Sequence, residues 1–486
     1  MTNKQELFKK RLEKHYDELK WLYCELYESI DSFSQLCRIM EDSFSGRKDS
    51  LIRLDEKRLA DPGWYKGSRL LGMMMYTDAF AGALKNLKGK LDYIEECGVN
   101  CLHLMPLLQM PDRDNDGGYA VSDYTKVDPR LGTMADLASL SAACHKRGIC
   151  LCLDFVMNHT SMEHPWAKKA LAGDKEYQDR YFFFDSYDIP AQYEKTCPQV
   201  FPTTAPGNFT WLPEIGKHVM TTFYPYQWDL NYRNPAVFNE MTGFLLNLAN
   251  HGIDVLRIDA VPYFGTQEKP ECHMLYNVTT MATLWHTAAV KDASLLKRQT
   301  EIICSLPEDY VFLNYIRCHD DIGWGLEYGW LKDRHMQENP HKKFLNDYFT
   351  GKYPGSLAKG ELYNDDPTSG DARLCGTAAS PCGVEKAVEN ENPEDLEKSL
   401  SLDLLLHGYV LSLSGIPMIY SGDEVVRFND YTYHQDAKKA ADSRYLHRGA
   451  FLWEAAGIFE DLLTGETMAA RDVALPPYGM RWLIRR

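Results

Sequence analysis

The apolar positions of this chain fall into two textures. Over residues 3–60, Leu7, Leu12, Tyr16, Leu19, Tyr23 and Leu26 recur at spacings of three to five among charged residues, which is the stripe of an amphipathic helix. Asp61-Pro62-Gly63 breaks that pattern, so a helical N-terminal domain is predicted over 1–67. From residue 68 onward, short apolar runs alternate with helical periodicity. LLGMMMY (70–76), NCLHLMPL (100–107), ICLCLDFV (149–156), IDVLRIDA (253–260), HMLYN (273–277), DYVFLNYI (309–316) and GIPMIYSGDE (415–424) read as strands. LDYIEECG (91–98), closed by its glycine, MADLASLSAACHKRGI (134–149) and FNEMTGFLLNLANHG (238–252) read as helices. Strand–helix alternation of this length predicts an α/β fold whose parallel strands close as a (β/α)8, TIM-type barrel. Its functional residues then belong at the C-terminal ends of the strands.

The barrel pattern occupies 68–159, 236–322 and 386–449. Two loop-rich insertions interrupt it just after strand ends: an inserted domain over 160–235, rich in aromatics, Pro and Gly, and a second lid region over 323–385. Residues 450–486 form a short tail.

Composition narrows the function. With 44% hydrophobic and 25% charged residues the chain reads as soluble and globular, and its 486 residues exceed one simple core. A net charge of −16 disfavours nucleic acid and anionic membrane as partners. No apolar run approaches the ~18 residues of a membrane span, and the start of the chain has no signal-type stretch. The 13 cysteines form no CxxC pairs, and Cys150 and Cys152 alternate within an apolar run as buried strand thiols do. A reduced, cytoplasmic protein is expected.

Three strand ends each deliver a carboxylate. The third strand ends in Asp154, Asn158 and His159; the fourth carries Arg257 and Asp259, two apart and so on one face. A late strand runs into His319, Asp320 and Asp321, and DGGYAV supplies Asp116 and Tyr119. An Arg-x-Asp pair alone is most often a structural ion pair. Its recurrence beside other strand-end carboxylates and histidines fits retaining glycosyl transfer, in which one carboxylate attacks the anomeric carbon and a second acid protonates the leaving oxygen. A neighbouring Arg keeps the nucleophile ionised.

These strings closely resemble the α-amylase superfamily, glycoside hydrolase family 13. Asp154-Phe-Val-Met-Asn158-His159, Arg257-Ile-Asp259-Ala, His319-Asp320 and Gly415-Ile-Pro-Met-Ile-Tyr-Ser-Gly422-Asp-Glu match its conserved regions. Within it, Asp116-Gly-Gly-Tyr119, Tyr226-Gln-Trp-Asp-Leu-Asn-Tyr232, Thr368-Ser-Gly-Asp-Ala-Arg373 and Asp442-Ser-Arg444 are most similar to the amylosucrase group. The resemblance implies a glucosyl-enzyme on Asp259, with Arg257 beside it. It implies that His159, His319 and Asp320 hold the glucosyl ring, that Tyr119 and Tyr226 wall it, and that Asp116 and Arg444 pair to close the pocket. Asp321 and Arg373 would hold the fructosyl half of sucrose. The implied partners are sucrose and an α-glucan acceptor, with no metal and no cofactor. Sucrose hydrolysis, α-glucosidase activity and a catalytically inactive carbohydrate-binding homologue are the alternatives.

The resemblance also exposes a gap. The family's acid/base Glu sits on a fifth strand, but only residues 260–272 separate Asp259 from HMLYN. A parallel crossover takes about a dozen residues or more for its helix alone. The barrel is therefore expected to lack its fifth strand, through an internal deletion near 260–272. Glu268 and Glu271 are the only glutamates in the shortened linker, and Asp423 and Glu424 are expected to be structural. The tail 450–486 reads as a two-stranded remnant of the family's C-terminal β-domain.

Overall fold

The structure, a computed structural model, describes residues 3–66, 69–260, 272–307, 310–366, 371–451, 453, 458–461, 467–469 and 483–485. The chain divides into two compact units. The first comprises 1–64, 83–89 and 104–271; the second comprises 65–82, 90–103 and 272–486. All seven apolar runs form parallel strands: β1 (Gly72–Met75), β2 (Cys101–Leu104), β3 (Cys150–Val156), β4 (Val255–Asp259), β5 (Met274–Tyr276), β6 (Val311–Asn314) and β7 (Ile416–Tyr420).

In the first unit β4 lies beside β3, with Arg257 opposite Asp154 and Asp259 opposite Val156. In the second the order is β2-β1-β7-β6-β5, only Leu104 at the end of β2 falling outside it. Parallel strands joined by helices, one short of eight, make an incomplete (β/α)8 barrel. Among the described residues β4 pairs on one side only, with β3, and β5 on one side only, with β6.

Four helices open the first unit: α1 (Asn3–Leu12), α2 (Tyr16–Tyr27), α3 (Ile30–Gly46) and α4 (Asp49–Ala60). Ser29 caps α3 by accepting from the Ser32 amide. The single stripe expected over 7–26 is broken. The chain leaves the helix between α1 and α2. Leu19, Tyr23 and Tyr27, four apart, face Phe33 and Leu36, whereas Leu26 is 66% exposed. Burying a side chain such as Phe33 contributes about 1.5–3 kcal/mol. The cluster docks on α5 (Pro235–Asn250) through Phe238, and Tyr23 donates to Asn239 at 2.9 Å.

Each insertion carries elements of its own. Strands Phe183–Phe184, Phe209–Leu212 and Lys217–Met220 form an antiparallel sheet, and His159–Ser161 pairs with Gln227–Asp229. The second insertion holds the helix Glu338–Phe349 and the hairpin Glu361–Asp366/Asp371–Cys375. Near the C-terminus, among the described residues, three short antiparallel strands stand where a two-stranded remnant was expected, with Ile458–Asp461 between Thr467–Ala469 and Leu483–Arg485. Just before them Trp453 packs against Phe80 and Tyr93, with ring centroids 4.9 and 5.0 Å away.

Candidate active site

In the first unit the site begins with strand register. Alternation puts Arg257 and Asp259 on one face of β4, and the ladder puts Asp154 of β3 directly beside Arg257. One guanidinium nitrogen, Nη1 of Arg257, therefore donates to both carboxylates, at 2.7 Å to Asp154 and 2.6 Å to Asp259. The Tyr119 hydroxyl joins the same group, 3.3 Å from Arg257 and 3.2 Å from Asp154. The Asp154 side chain is fully buried, while Arg257 and Asp259 keep 20% and 16% of their side-chain surface. Beyond Asp259 the chain leaves the strand through Ala260 in the left-handed region, with φ of 55°.

Tyr119 is delivered by a tight loop. Asp116, Gly117 and Gly118 all have positive φ, and a Cβ at Gly118 would come within 2.6 Å of Pro106, so Gly118 is a steric requirement here. Asp116 accepts from Gln227 at 3.3 Å. Tyr226 stacks on Tyr224, with centroids 5.1 Å apart and planes 5° from parallel. His159 is 1% exposed and places Nε2 3.0 Å from the Tyr119 carbonyl. Burial pushes its pKa down to about 4, so it is neutral at pH 7.

The second unit gathers the remaining candidates after β6. Two side chains fix the His319 carbonyl: Arg448 Nε at 2.6 Å and His447 Nε2 at 3.2 Å. Arg444 grips Asp442 through two bonds of 2.9 Å and reaches Asp320 at 3.5 Å. Asp321 lies 3.6 Å from Arg373. Asp320 sits deep in the protein yet keeps 45% of its side chain accessible, so it faces an opening. Burial opposes its charge, but His319, Arg444, Arg448 and Arg373 outweigh that and hold it well below the usual carboxylate range. Asp321 moves the other way, raised by burial and by the Asp320 charge next to it. Two adjacent carboxyls thus differ in how readily each ionises.

Residues 39–316, more than half of the chain, match the catalytic domain of α-amylase. The chain belongs to the α-amylase family. Among curated relatives, a trehalose synthase of Pimelobacter sp. (strain R48) is 35% identical over 225 residues, covering 44% of this chain and 38% of its own length. Maltase 1 of Drosophila virilis is 37% identical over 193 residues, 39% of this chain and 29% of its own length. The chain thus spans well under half the length of these relatives. Among solved structures, the sucrose 6F-phosphate phosphorylase of Thermoanaerobacter thermosaccharolyticum superposes with a TM-score of 0.59 at 18% identity, covering 79% of this chain and 82% of that one. The α-amylase of H. orenii gives 0.53 at 19%, covering 86% and 77%. At such identities the structural likeness shows the fold.

For this α-amylase family member the structure joins Arg257, Asp259, Tyr119 and His159 in one group, and His319, Asp320, Asp321, Arg373 and Arg444 in another. Glu268 and Glu271 lie outside the described residues, as do Thr368, Ser369 and Gly370 of the string ending in Arg373. Asp423 is buried on Arg317 at 2.7 Å, and Glu424 accepts from Tyr93 at 2.9 Å. Sequence reasoning assigned no role to Arg448, Asp442 or Asp229. The signal for Asp442 was its spacing of two from Arg444; Arg448, one more cation in an already charged stretch, left none. Among the described residues no group of three or more His, Cys, Asp or Glu is placed to hold a metal, and no helix is long and apolar enough to cross a membrane.

Proposed function

We propose that this chain is an amylosucrase-like, α-retaining glucosyl-transfer enzyme acting on sucrose, with Asp259 as nucleophile and with its turnover impaired. The observation that carries the reading is the Arg257 bridge. A carboxylate at a strand end, 2.6 Å from a guanidinium and partly exposed, is ionised and positioned to attack an anomeric carbon. Asp320, held ionised and open on one side, suits a bidentate grip on two sugar hydroxyls. The Asp321–Arg373 pair offers both a donor and an acceptor to a fructosyl group. Relatives named trehalose synthase and maltase support a small glucosyl sugar as substrate.

Impairment follows from the segment between β4 and β5. It is too short for a strand and two helices, so the acid/base Glu of the family has no place in it. Loss of a general acid costs roughly 10²–10⁴ in rate. The one-sided pairing of β4 and β5 favours a second reading, a carbohydrate-binding homologue without turnover. Incubating the purified chain with sucrose, following fructose, glucose and glucan in one tube and measuring sucrose binding by calorimetry, separates the two. Slow fructose release that depends on Asp259 supports the enzyme. Binding with no release supports the second reading, and neither binding nor release refutes both.

A further inference from the structure

Three buried side chains behind Tyr119 form a hydrogen-bonded line. Asp229 has both carboxylate oxygens occupied. Oδ2 accepts from the Thr222 amide at 3.2 Å and from the Thr222 hydroxyl, and Oδ1 accepts from Asn158 Nδ2 at 3.0 Å. The same Asn158 nitrogen lies 3.3 Å from His159 Nδ1. His159 Nε2 in turn lies 3.0 Å from the Tyr119 carbonyl oxygen. All five residues, Thr222 and Tyr119 included, are buried. Ladder pairing puts Asp229 directly opposite His159, so backbone register holds the line in place.

The donors and acceptors allow one consistent assignment. Burial pushes the Asp229 pKa up to about 7. Above that pH it is a carboxylate that accepts only, so Asp229 demands the NH₂ end of the Asn158 amide and excludes its carbonyl. That NH₂ group has a second hydrogen, which points to His159 Nδ1 and requires a lone pair there. A neutral imidazole with a lone pair on Nδ1 carries its proton on Nε2. The Nε2–H then donates to the Tyr119 carbonyl, an atom that can only accept. The opposite tautomer would set a lone pair against that carbonyl oxygen and an N–H against an NH₂ group.

We propose that Asp229 is a positioning residue: acting through Asn158, it sets the tautomer of His159 and so holds Tyr119 in place. Tyr119 in turn reaches Asp154 and Arg257 through its hydroxyl, which connects the line to the nucleophile Asp259. The consequence for catalysis rests on the function proposed above; the tautomer assignment does not.

The test is nitrogen-15 NMR of the full chain labelled at its histidines, with the His159 signal assigned by its loss in His159→Gln. The wild-type chain is expected to show a bare Nδ1 and a protonated Nε2 at pH 8.5, where Asp229 is ionised and His159 neutral. Asp229→Leu frees the Asn158 amide to turn and is expected to shift His159 toward a mixture of tautomers. Asn158→Ala removes the donor at Nδ1 with the same expected result and serves if Asp229→Leu does not fold. A wild-type Nδ1–H tautomer, or a tautomer indifferent to both Asp229→Leu and Asn158→Ala, overturns the inference. Failure of sucrose to bind would count against the proposed function alone, because the tautomer is read without substrate.

Discussion

Arg257→Leu tests the central geometry most directly. The Asp154 and Asp259 oxygens both contact the same guanidinium nitrogen, so they lie no more than about 5.3 Å apart. Two unit charges at that distance repel by about 3 kcal/mol at an effective dielectric near 20. Removing the cation exposes that repulsion and strands the fully buried Asp154 carboxylate, so a destabilisation of about 3–5 kcal/mol is expected. Adding Asp154→Asn in the same chain removes one of the two charges while keeping a partner for the Tyr119 hydroxyl. The double variant is expected to regain about 3 kcal/mol relative to Arg257→Leu. Asp154→Asn alone is expected to destabilise, because it weakens the attraction to an intact Arg257. The measurement is urea unfolding followed by circular dichroism for all four chains. A double variant no more stable than Arg257→Leu would show that the carboxylates do not share this cation, and the assignment of Asp259 as a held nucleophile would fall with it.

Three further outcomes are expected. α-Glucosyl fluoride has a leaving group that needs little protonation, so it should glucosylate Asp259 without a general acid, seen as a mass gain of one glucosyl group that persists because no base activates water; equal labelling of Asp259→Asn would place the nucleophile elsewhere. His407 lies 3.2 Å from Asp403 and 3.9 Å from Asp423; burial opposes its charge, but the two carboxylates push its pKa up to about 10 from an ordinary 6.5. Its stabilising contribution is therefore complete below pH 6.5 and lost as pH rises through 10, and melting curves of the wild type should fall across that window more steeply than those of His407→Gln. Gly415 has φ of 117°, and a Cβ there would sit 2.3 Å from the Phe312 carbonyl oxygen, so Gly415→Ala should cost about 2–3 kcal/mol in urea unfolding; an unchanged midpoint would mean that this approach of β7 to β6 is not close.

The strands were legible because burial on both faces writes itself as an unbroken apolar run: all seven residues of β3 are buried. Arg257 and Asp259 were legible because alternation is a local property. The role of Asp154 was not, since its contact with Arg257 depends on the register of two strands a hundred residues apart. The Asp229–Asn158–His159 line was hidden for the same reason. Leu26 misled because a step of three carries it off the face that Leu19, Tyr23 and Tyr27, four apart in the same helix, turn to the core. The short link between β4 and β5 was plain from residue count alone, because a helix and strand need a minimum length that no side chain can shorten.

A barrel lacking its fifth strand, as proposed above, would carry two separable consequences. One would be chemical, the loss of the family's proton donor. The other would be mechanical. The proposed nucleophile, Asp259, sits at the end of β4, a strand whose five residues are all only partly buried and which has a single neighbour among the described residues. A strand with one ladder and little burial opens more readily than the core beside it. Displacing a reacting group by about 1 Å can cost ~10² in rate. What holds Asp259 against that displacement is the ladder to β3 and the Arg257 bridge. Glucosyl fluoride removes the need for the acid and leaves the need for precise placement untouched. Its labelling rate therefore reports the mechanical defect alone, and the further loss on changing to sucrose reports the chemical one. If the two substrates label the chain at the same slow rate, looseness of β4 governs its activity and the absent acid is secondary.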